Sequence, residues 1–367
     1  MRIITRFYHA LILSTLLLLP VLQCLDSVSA QDPEKQEQKE DQGPTIKLDT
    51  DLVSVDISVT DRKGNRGVSG LTAADFSVYE DGVRQRISNF STADVPYSLA
   101  LMIDTSASTR DELELIKRAA RRFIDDLRLA DRIAVVQFNK EIETSPLTSN
   151  RTRLEDALGQ LKLGSGTAFY DAMLRSINEA LKVGGRKAIV ALTDGVDSYG
   201  SATFEQLMPA LEKAGTSVYF LELNTESFTE AGMVRDCSDR EHFRFSKKQL
   251  LKYVKEYLQS GDEADYENHC SLSSLERMQI NRRLYQSARR ELREMAKRTG
   301  GRVYPIKDLS ELEPAYKQIA AELSTQYSLA YYPTNDKHDG KWRNLRVEIK
   351  RPGFSVHAKP GYRAPQD

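Results

Sequence analysis

Two patterns of apolar residues divide the chain. From Leu52 to Thr60 (Leu-Val-Ser-Val-Asp-Ile-Ser-Val-Thr) apolar and polar residues alternate, which predicts an antiparallel strand with one face buried. Phe76 to Tyr79 and Gln85 to Phe90 read as further strands, with Glu80-Asp81-Gly82 turning between them. No helical period separates them, so they form a β layer of their own.

From Pro96 the pattern changes. Leu99-Ala100-Leu101-Met102-Ile103 is apolar without alternation, the mark of a strand buried on both faces of a parallel sheet. A helix is predicted over 110–127, with Leu113, Ile116, Ala120, Phe123 and Leu127 at three- and four-residue spacing. Strand Ile133 to Phe138, a short helix marked by Leu154, Leu158 and Leu161, and a helix from Tyr170 to Val183 follow. Then come strand Ala188 to Leu192, a helix from Phe204 to Ala214 that carries Pro209, and strand Val218 to Leu223. Strands alternating with helices predict an α/β unit, a doubly wound and mostly parallel Rossmann-like sheet.

The alternation lapses over 224–283, a charged stretch with one amphipathic piece, Leu250 to Leu258, read as an irregular insertion or a flexible excursion. It resumes with a helix through Ala288, Leu292, Met295 and Ala296, a strand Val303 to Pro305, and a helix carrying Leu312, Tyr316, Ile319 and Leu323. The end of the chain is β again: Gln326 to Tyr332, Leu345 to Lys350 and Phe354 to Ala358. Neither tail has strands enough for a stable sandwich, so the two are expected to pair as one β-sandwich-like domain. The expected organisation is a signal peptide over 1–30, a flexible linker over 31–44, and an N-terminal β segment over 45–93. An α/β domain over 94–325 and a C-terminal β segment over 326–367 complete it.

The signal peptide reading rests on Arg2 and Arg6, an apolar run from Ala10 to Leu22, and Val28-Ser29-Ala30 before polar Gln31-Asp32. Cleavage after Ala30 would make the protein secreted, periplasmic or part of a cell envelope, with no transmembrane segment left. A retained anchor is the alternative, although the run falls short of the roughly 20 residues a spanning helix needs. Lipid attachment at Cys24 is a second alternative, but Leu22-Gln23 lacks the small residues such a site prefers. Cys237 and Cys270 then remain, either as two thiols or as a disulfide closing a loop of about 34 residues, worth roughly 3–4 kcal/mol. The formal net charge of -1 gives no basic bias toward nucleic acid, and five His leave little material for a His-built site.

The candidate chemistry lies where the two most apolar strands end. Asp104-x-Ser106-x-Ser108 follows the first, and Thr193-Asp194-Gly195-x-Asp197 follows the third; Thr167 sits in the loop between. Open α/β sheets place ligand sites at that edge. Oxygen-only donors suit a hard divalent cation: Mg²⁺, or Mn²⁺ or Ca²⁺. Hydroxyls with few direct carboxylates leave such a cation under-neutralised and open to an anionic ligand from outside.

Asp104-x-Ser106-x-Ser108, Gly166-Thr167-Ala168-x-Tyr170-Asp171 and Thr193-Asp194-Gly195-x-Asp197, in that order, resemble a von Willebrand factor A domain with a metal-ion-dependent adhesion site. The resemblance covers residues 96–325 and implies direct or water-mediated metal ligands at Ser106, Ser108 and Thr167. Asp104 and Asp194 are implied to act through water. The flanks, with Leu71-Thr72-Ala73-Ala74-Asp75-Phe76, Gln326-Tyr327-Ser328-Leu329-Ala330-Tyr331-Tyr332-Pro333 and Lys359-Pro360-Gly361-Tyr362, resemble a bacterial exported subgroup, the acidobacterial-type A-domain-related proteins.

The resulting expectation is an exported, non-enzymatic protein that binds an Asp or Glu carboxylate of a protein partner through the metal. An envelope scaffold whose metal only stabilises is the alternative. A hydrolase is a weaker third reading, because no His lies near Ser106 in sequence and no Gly-x-Ser-x-Gly elbow is present. The sequence sets no oligomeric state.

Overall fold

The structure, a computed structural model, describes residues 52–61, 67–92, 95–235, 243–258 and 269–366. The expected signal peptide and linker lie outside them, as does Cys237. The alternating stretch forms β1 (Val53–Asp61), with Val53, Val55, Ile57 and Val59 buried, and β2 (Phe76–Glu80) follows. The run read as one strand through Phe90 is two, β3 (Val83–Gln85) and β4 (Ile87–Ser91). They belong to different sheets, so the chain changes sheet at Arg86. Such corners join the two layers of a sandwich, and the apolar pattern runs through them without a mark.

The continuous apolar run is β5 (Tyr97–Asp104), buried at every position. A 3₁₀ turn over Ala107–Glu112 leads into α1 (Leu113–Asp126). Then come β6 (Arg132–Phe138), β7 (Ile142–Thr144), α2 (Arg151–Gly159) and α3 (Phe169–Arg175). The helix expected to reach Val183 loosens into a π turn over Ser176–Ala180. β8 (Arg186–Thr193), α4 (Phe204–Ala214) and β9 (Ser217–Leu223) follow.

The stretch expected to be irregular holds α5 (Glu226–Met233), α6 (Lys247–Tyr257) and the first ten residues of α7 (Ser274–Thr299). Ser273 and Glu276 form the capping box that starts α7, and Ser246 with Gln249 starts α6. Met233, Phe245, Leu250, Tyr253, Leu272, Ile280 and Leu284 give this part a small core of its own. The amphipathic piece Leu250 to Leu258 falls largely on α6, while the apolar positions of α5 and the start of α7 are sparse and interleaved with charge, which hid their helical period. The chain continues through β10 (Val303–Ile306), α8 (Leu312–Thr325), β11 (Tyr327–Tyr331), β12 (Trp342–Ile349), β13 (Phe354–Ala358) and β14 (Gly361–Arg363).

The central sheet has the order β10-β9-β8-β5-β6-β7, parallel except for β7. Leu99, Leu101 and Ile103 of β5 face a core shared with α1, α2 and α8. Ala100 and Met102 face the opposite core, shared with α3, α4 and α7. From β5 the chain runs to β6 on one side and later to β8 on the other, so the strand order switches direction at β5. A crevice opens beyond the C-terminal ends of the strands at such a point.

The termini build two antiparallel sheets, β13-β1-β11-β4 and β14-β12-β2-β3, each with two strands from either end of the chain. Phe76, Phe90 and Tyr327 pack between them at centroid distances of 5.6–5.8 Å. The chain leaves these sheets at Tyr97 and returns to them at Gln326, and Arg186 holds both crossings. Its Nη2 donates to Tyr97 Oη at 2.6 Å and to the Gln326 carbonyl at 2.8 Å. Among the described residues no helix is long and apolar enough to cross a membrane.

Candidate metal centre

Asp104 ends β5 and is 2% exposed. Its Oδ1 accepts a hydrogen bond from the Ser106 backbone N–H at 3.0 Å, and its Oδ2 accepts one from Thr193 Oγ1 at 3.0 Å. The Ser106 hydroxyl also bonds this carboxylate. The chain turns over Asp104 in this way because a short carboxylate can cap the N–H two residues on. Ser106 then starts the 3₁₀ turn, its carbonyl accepting from Thr109 N at 3.1 Å and Thr109 Oγ1 at 2.9 Å. Ser108 lies in that turn, with its side chain outside what the structure describes.

The loop after β8 is tied to the first through Thr193, whose Oγ1 accepts from the Gly195 N–H at 3.0 Å. Gly195 has φ +75°, and a side chain there would also meet Leu292 at 2.9 Å, so only glycine suits both backbone and space. Asp194 Oδ1 accepts from Val196 N at 2.9 Å. Its Oδ2 accepts from the Thr225 hydroxyl and, at 3.3 Å, from Tyr285 Oη. Thr167 belongs to the middle loop. Its N–H donates to Ser198 Oγ at 2.9 Å, and its carbonyl accepts from Ser198 N and Tyr199 N, each at 2.9 Å. Asp197 is turned away, accepting from Tyr170 N at 3.2 Å and pairing with Lys248 of α6.

Ser106, Thr167 and Asp194 therefore line one recess of about 220 Å³, with Asp104 buried beside it. Burial, with the Asp194 charge added, pushes the Asp104 carboxyl up to about 7. Burial also raises Asp194, against the hydrogen bonds from Thr225, Val196 and Tyr285. Asp197 is pushed up to about 6 by burial, with Lys248 opposing. Two buried carboxylates that repel each other make a site short of positive charge. Among the described residues no group of three or more His, Cys, Asp or Glu is gathered for a metal. The oxygen groups gathered here are instead two hydroxyls with two carboxylates, a set whose chemistry suits a hard divalent cation.

Three residues at the site were absent from the sequence reading. Thr225 had a signal, a hydroxyl two positions past an apolar strand that ends at the same sheet edge. Tyr285 and Lys248 had none, because each reaches the site loops across the fold from a helix far along the chain.

Residues 99–196 match the sequence model of the von Willebrand factor type A domain. None of the curated proteins matches the chain. Among solved structures, proximal thread matrix protein 1 from the mussel byssus matches with 14% identity over 63% of this chain and 48% of that one, at a TM-score of 0.39. The chain thus spans about half the length of the mussel protein. A von Willebrand factor type A structure from Catenulispora acidiphila matches with 13% identity over 86% of this chain and 74% of that one, at 0.39. An aerotolerance-related membrane protein from Bacteroides fragilis matches with 18% identity over 62% and 98%, at 0.36.

Proposed function

Because the chain carries a von Willebrand factor type A domain, of a kind often engaged in protein–protein interaction, we propose that it is an exported binding protein whose metal site captures an acidic group of a protein partner. Ser106, Ser108 and Thr167 would hold Mg²⁺, Mn²⁺ or Ca²⁺ directly or through water, with Asp104 and Asp194 behind them. Bound there, the cation supplies a positive centre with an open position for an outside carboxylate. The observation that carries this reading is the convergence of Ser106, Thr167 and Asp194, from three separate loops, on one recess at the switch point of the sheet.

The chain's own residues support binding over turnover. Asp194 is held by three donors, and Asp104 by Ser106 and Thr193, so both carboxylates are fixed in place by the chain itself. No His is among the described residues lining the recess. Export rests on the first thirty residues, and N-terminal sequencing of the mature protein, expected to begin at Gln31, checks it.

The test is capture of partners from an envelope extract on the immobilised chain, in Mg²⁺ and in EDTA. A partner retained in Mg²⁺, released by EDTA and not captured by Ser106→Ala supports metal-bridged binding. Equal retention in both buffers favours the second reading, a scaffold whose metal only stabilises. The saturated hydrogen bonding of Asp194 gives that reading some footing.

A further inference from the structure

The terminal sheets carry a groove of their own, and it opens where one strand ends early. β2 runs from Phe76 to Glu80, and β3 pairs only with its second half, through Val78–Gln85, Tyr79–Arg84 and Glu80–Val83. At Arg86 the chain leaves for the other terminal sheet, so Phe76 and Ser77 have partners in β12 but none in β3. An open groove of about 510 Å³ lies there. Of the nine residues that line it, Arg84, Arg86 and Lys350 are basic and none is acidic.

The acids close by are engaged elsewhere. Asp75 pairs with Arg351 at 2.7 Å and accepts from Thr72 N at 2.8 Å. Glu348, opposite Ser77 on β12, pairs with Arg346. Arg84, Arg86 and Lys350 are exposed, and none of the three forms an ion pair among the described residues. Like charges gathered around one groove make a positive field that favours an anionic ligand.

The walls are set by the chain itself. Thr72 and Asp75 form a capping box around the turn that carries Ala73 and Ala74, and the Asp75 carbonyl accepts from Lys350 N at 2.8 Å. The Lys350 ammonium donates to the Ala74 carbonyl at 2.6 Å. Gln85 exchanges hydrogen bonds with Thr334 at 3.0 and 3.1 Å, which fixes the end of β3. A groove held in this way spares a ligand the cost of ordering it.

Its shape and charge favour one kind of ligand. Arg84 and Arg86 flank buried Gln85, so they share one face of an extended stretch, about 7 Å apart. Acids at alternate positions of a second extended chain have the same spacing. A strand edge left without a partner accepts such a chain through its main-chain groups. Ala73, Ala74 and Ile87 leave room for small apolar side chains between the acids. A long polyanion such as a nucleic acid needs a basic track of many phosphate contacts, whereas three cations on a chain of net charge -1 make a short one.

We propose that this groove is a second interaction site, which takes an extended acidic segment of a partner protein with Asp or Glu at alternate positions set against Arg84, Arg86 and Lys350. It stands apart from the metal site. The terminal sheets meet the central sheet at Tyr97, which starts β5, whereas Asp104 ends that strand. The proposal therefore does not depend on the metal-binding reading above.

The test follows the fluorescence anisotropy of dye-labelled peptides on the full chain in EDTA, which keeps the metal site out of the measurement. The probe is Ser-Asp-Val-Asp-Val-Asp-Ser. A control of the same composition, Ser-Asp-Asp-Asp-Val-Val-Ser, bunches its acids, and a heparin hexasaccharide stands for a polyanion that is not a peptide. The alternating peptide should bind about fivefold more tightly than the bunched one, the yield of one more matched ion pair at an exposed site. Arg84→Glu with Arg86→Glu should weaken it by at least about tenfold at an unchanged melting temperature. Arg84→Lys with Arg86→Lys should keep most of the binding. Absence of binding, equal binding of the two peptides, tighter binding of the hexasaccharide, or binding that survives the double reversal overturns the proposal. None of these outcomes touches the metal reading, because EDTA is present throughout.

Discussion

Lys248 pairs with the buried carboxylate of Asp197, and this one contact ties α6 to the loop that carries Asp194. The Lys248 ammonium also lies 5.3 Å from the centre of the Tyr170 ring and bonds two backbone carbonyls of the same loop. The last residue of the third site motif is thus paired from within the chain, by a lysine some fifty positions later.

Lys248→Met should therefore cost about 3 kcal/mol, the lower end of what leaving a buried charge without its partner costs. Urea unfolding measures it. Adding Asp197→Asn should recover most of the loss, because an amide oxygen still accepts from Tyr170 N and no charge is left behind. A single variant as stable as the wild type would mean the pair contributes nothing.

Tyr285→Phe removes one donor from Asp194 and leaves the ring in place. Partners that orient a metal-site carboxylate typically matter by about 10–100-fold in affinity. A Mg²⁺ titration of the unfolding temperature should show at least about tenfold weaker binding, with little change in the stability of the metal-free protein.

Arg186 packs its guanidinium 4.1 Å from the Tyr97 ring centre and bonds both chain crossings between the terminal sheets and the central sheet. Arg186→Lys should destabilise by about 2–3 kcal/mol, since an ammonium cannot stack and bond two acceptors in one plane. Thermal unfolding checks this, and the loss should be the same with and without Mg²⁺.

His357 sits on β13 with Nε2 3.1 Å from the Gly301 carbonyl, and burial, with Arg302 nearby, holds its pKa below the ordinary value; Glu322 pulls the other way. The folded state then binds fewer protons than the unfolded state below about pH 6.5, so stability falls as pH drops through that window. Between pH 7.5 and pH 5 the wild type should lose more stability than His357→Gln, measured by urea unfolding at both pH values. An equal loss would show that His357 does not titrate with folding.

The continuous apolar run of β5 was readable because burial on both faces removes alternation, and it led directly to Asp104 at its end. Asp194 was readable for the same reason after β8. The break at Arg86 was not, because β3 and β4 continue one alternation while belonging to different sheets. Nor were the walls of the recess. Tyr285 reaches Asp194 from 91 positions away, and no local period encodes such a contact. The pairing expected for Cys270 with Cys237 is a further long-range feature, and peptide mapping of the non-reduced protein should find that cross-link.

The central claim is that a divalent cation completes the site around Asp104, and thermal unfolding of the purified chain with Mg²⁺ or EDTA tests it most directly. At a hundredfold excess over Kd a ligand stabilises by about 2.7 kcal/mol, which raises Tm by roughly 5–10 °C in a domain of this size. The wild type should show that rise and Asp104→Ala should not. A wild type that melts at the same temperature in Mg²⁺, Mn²⁺, Ca²⁺ and EDTA would contradict it.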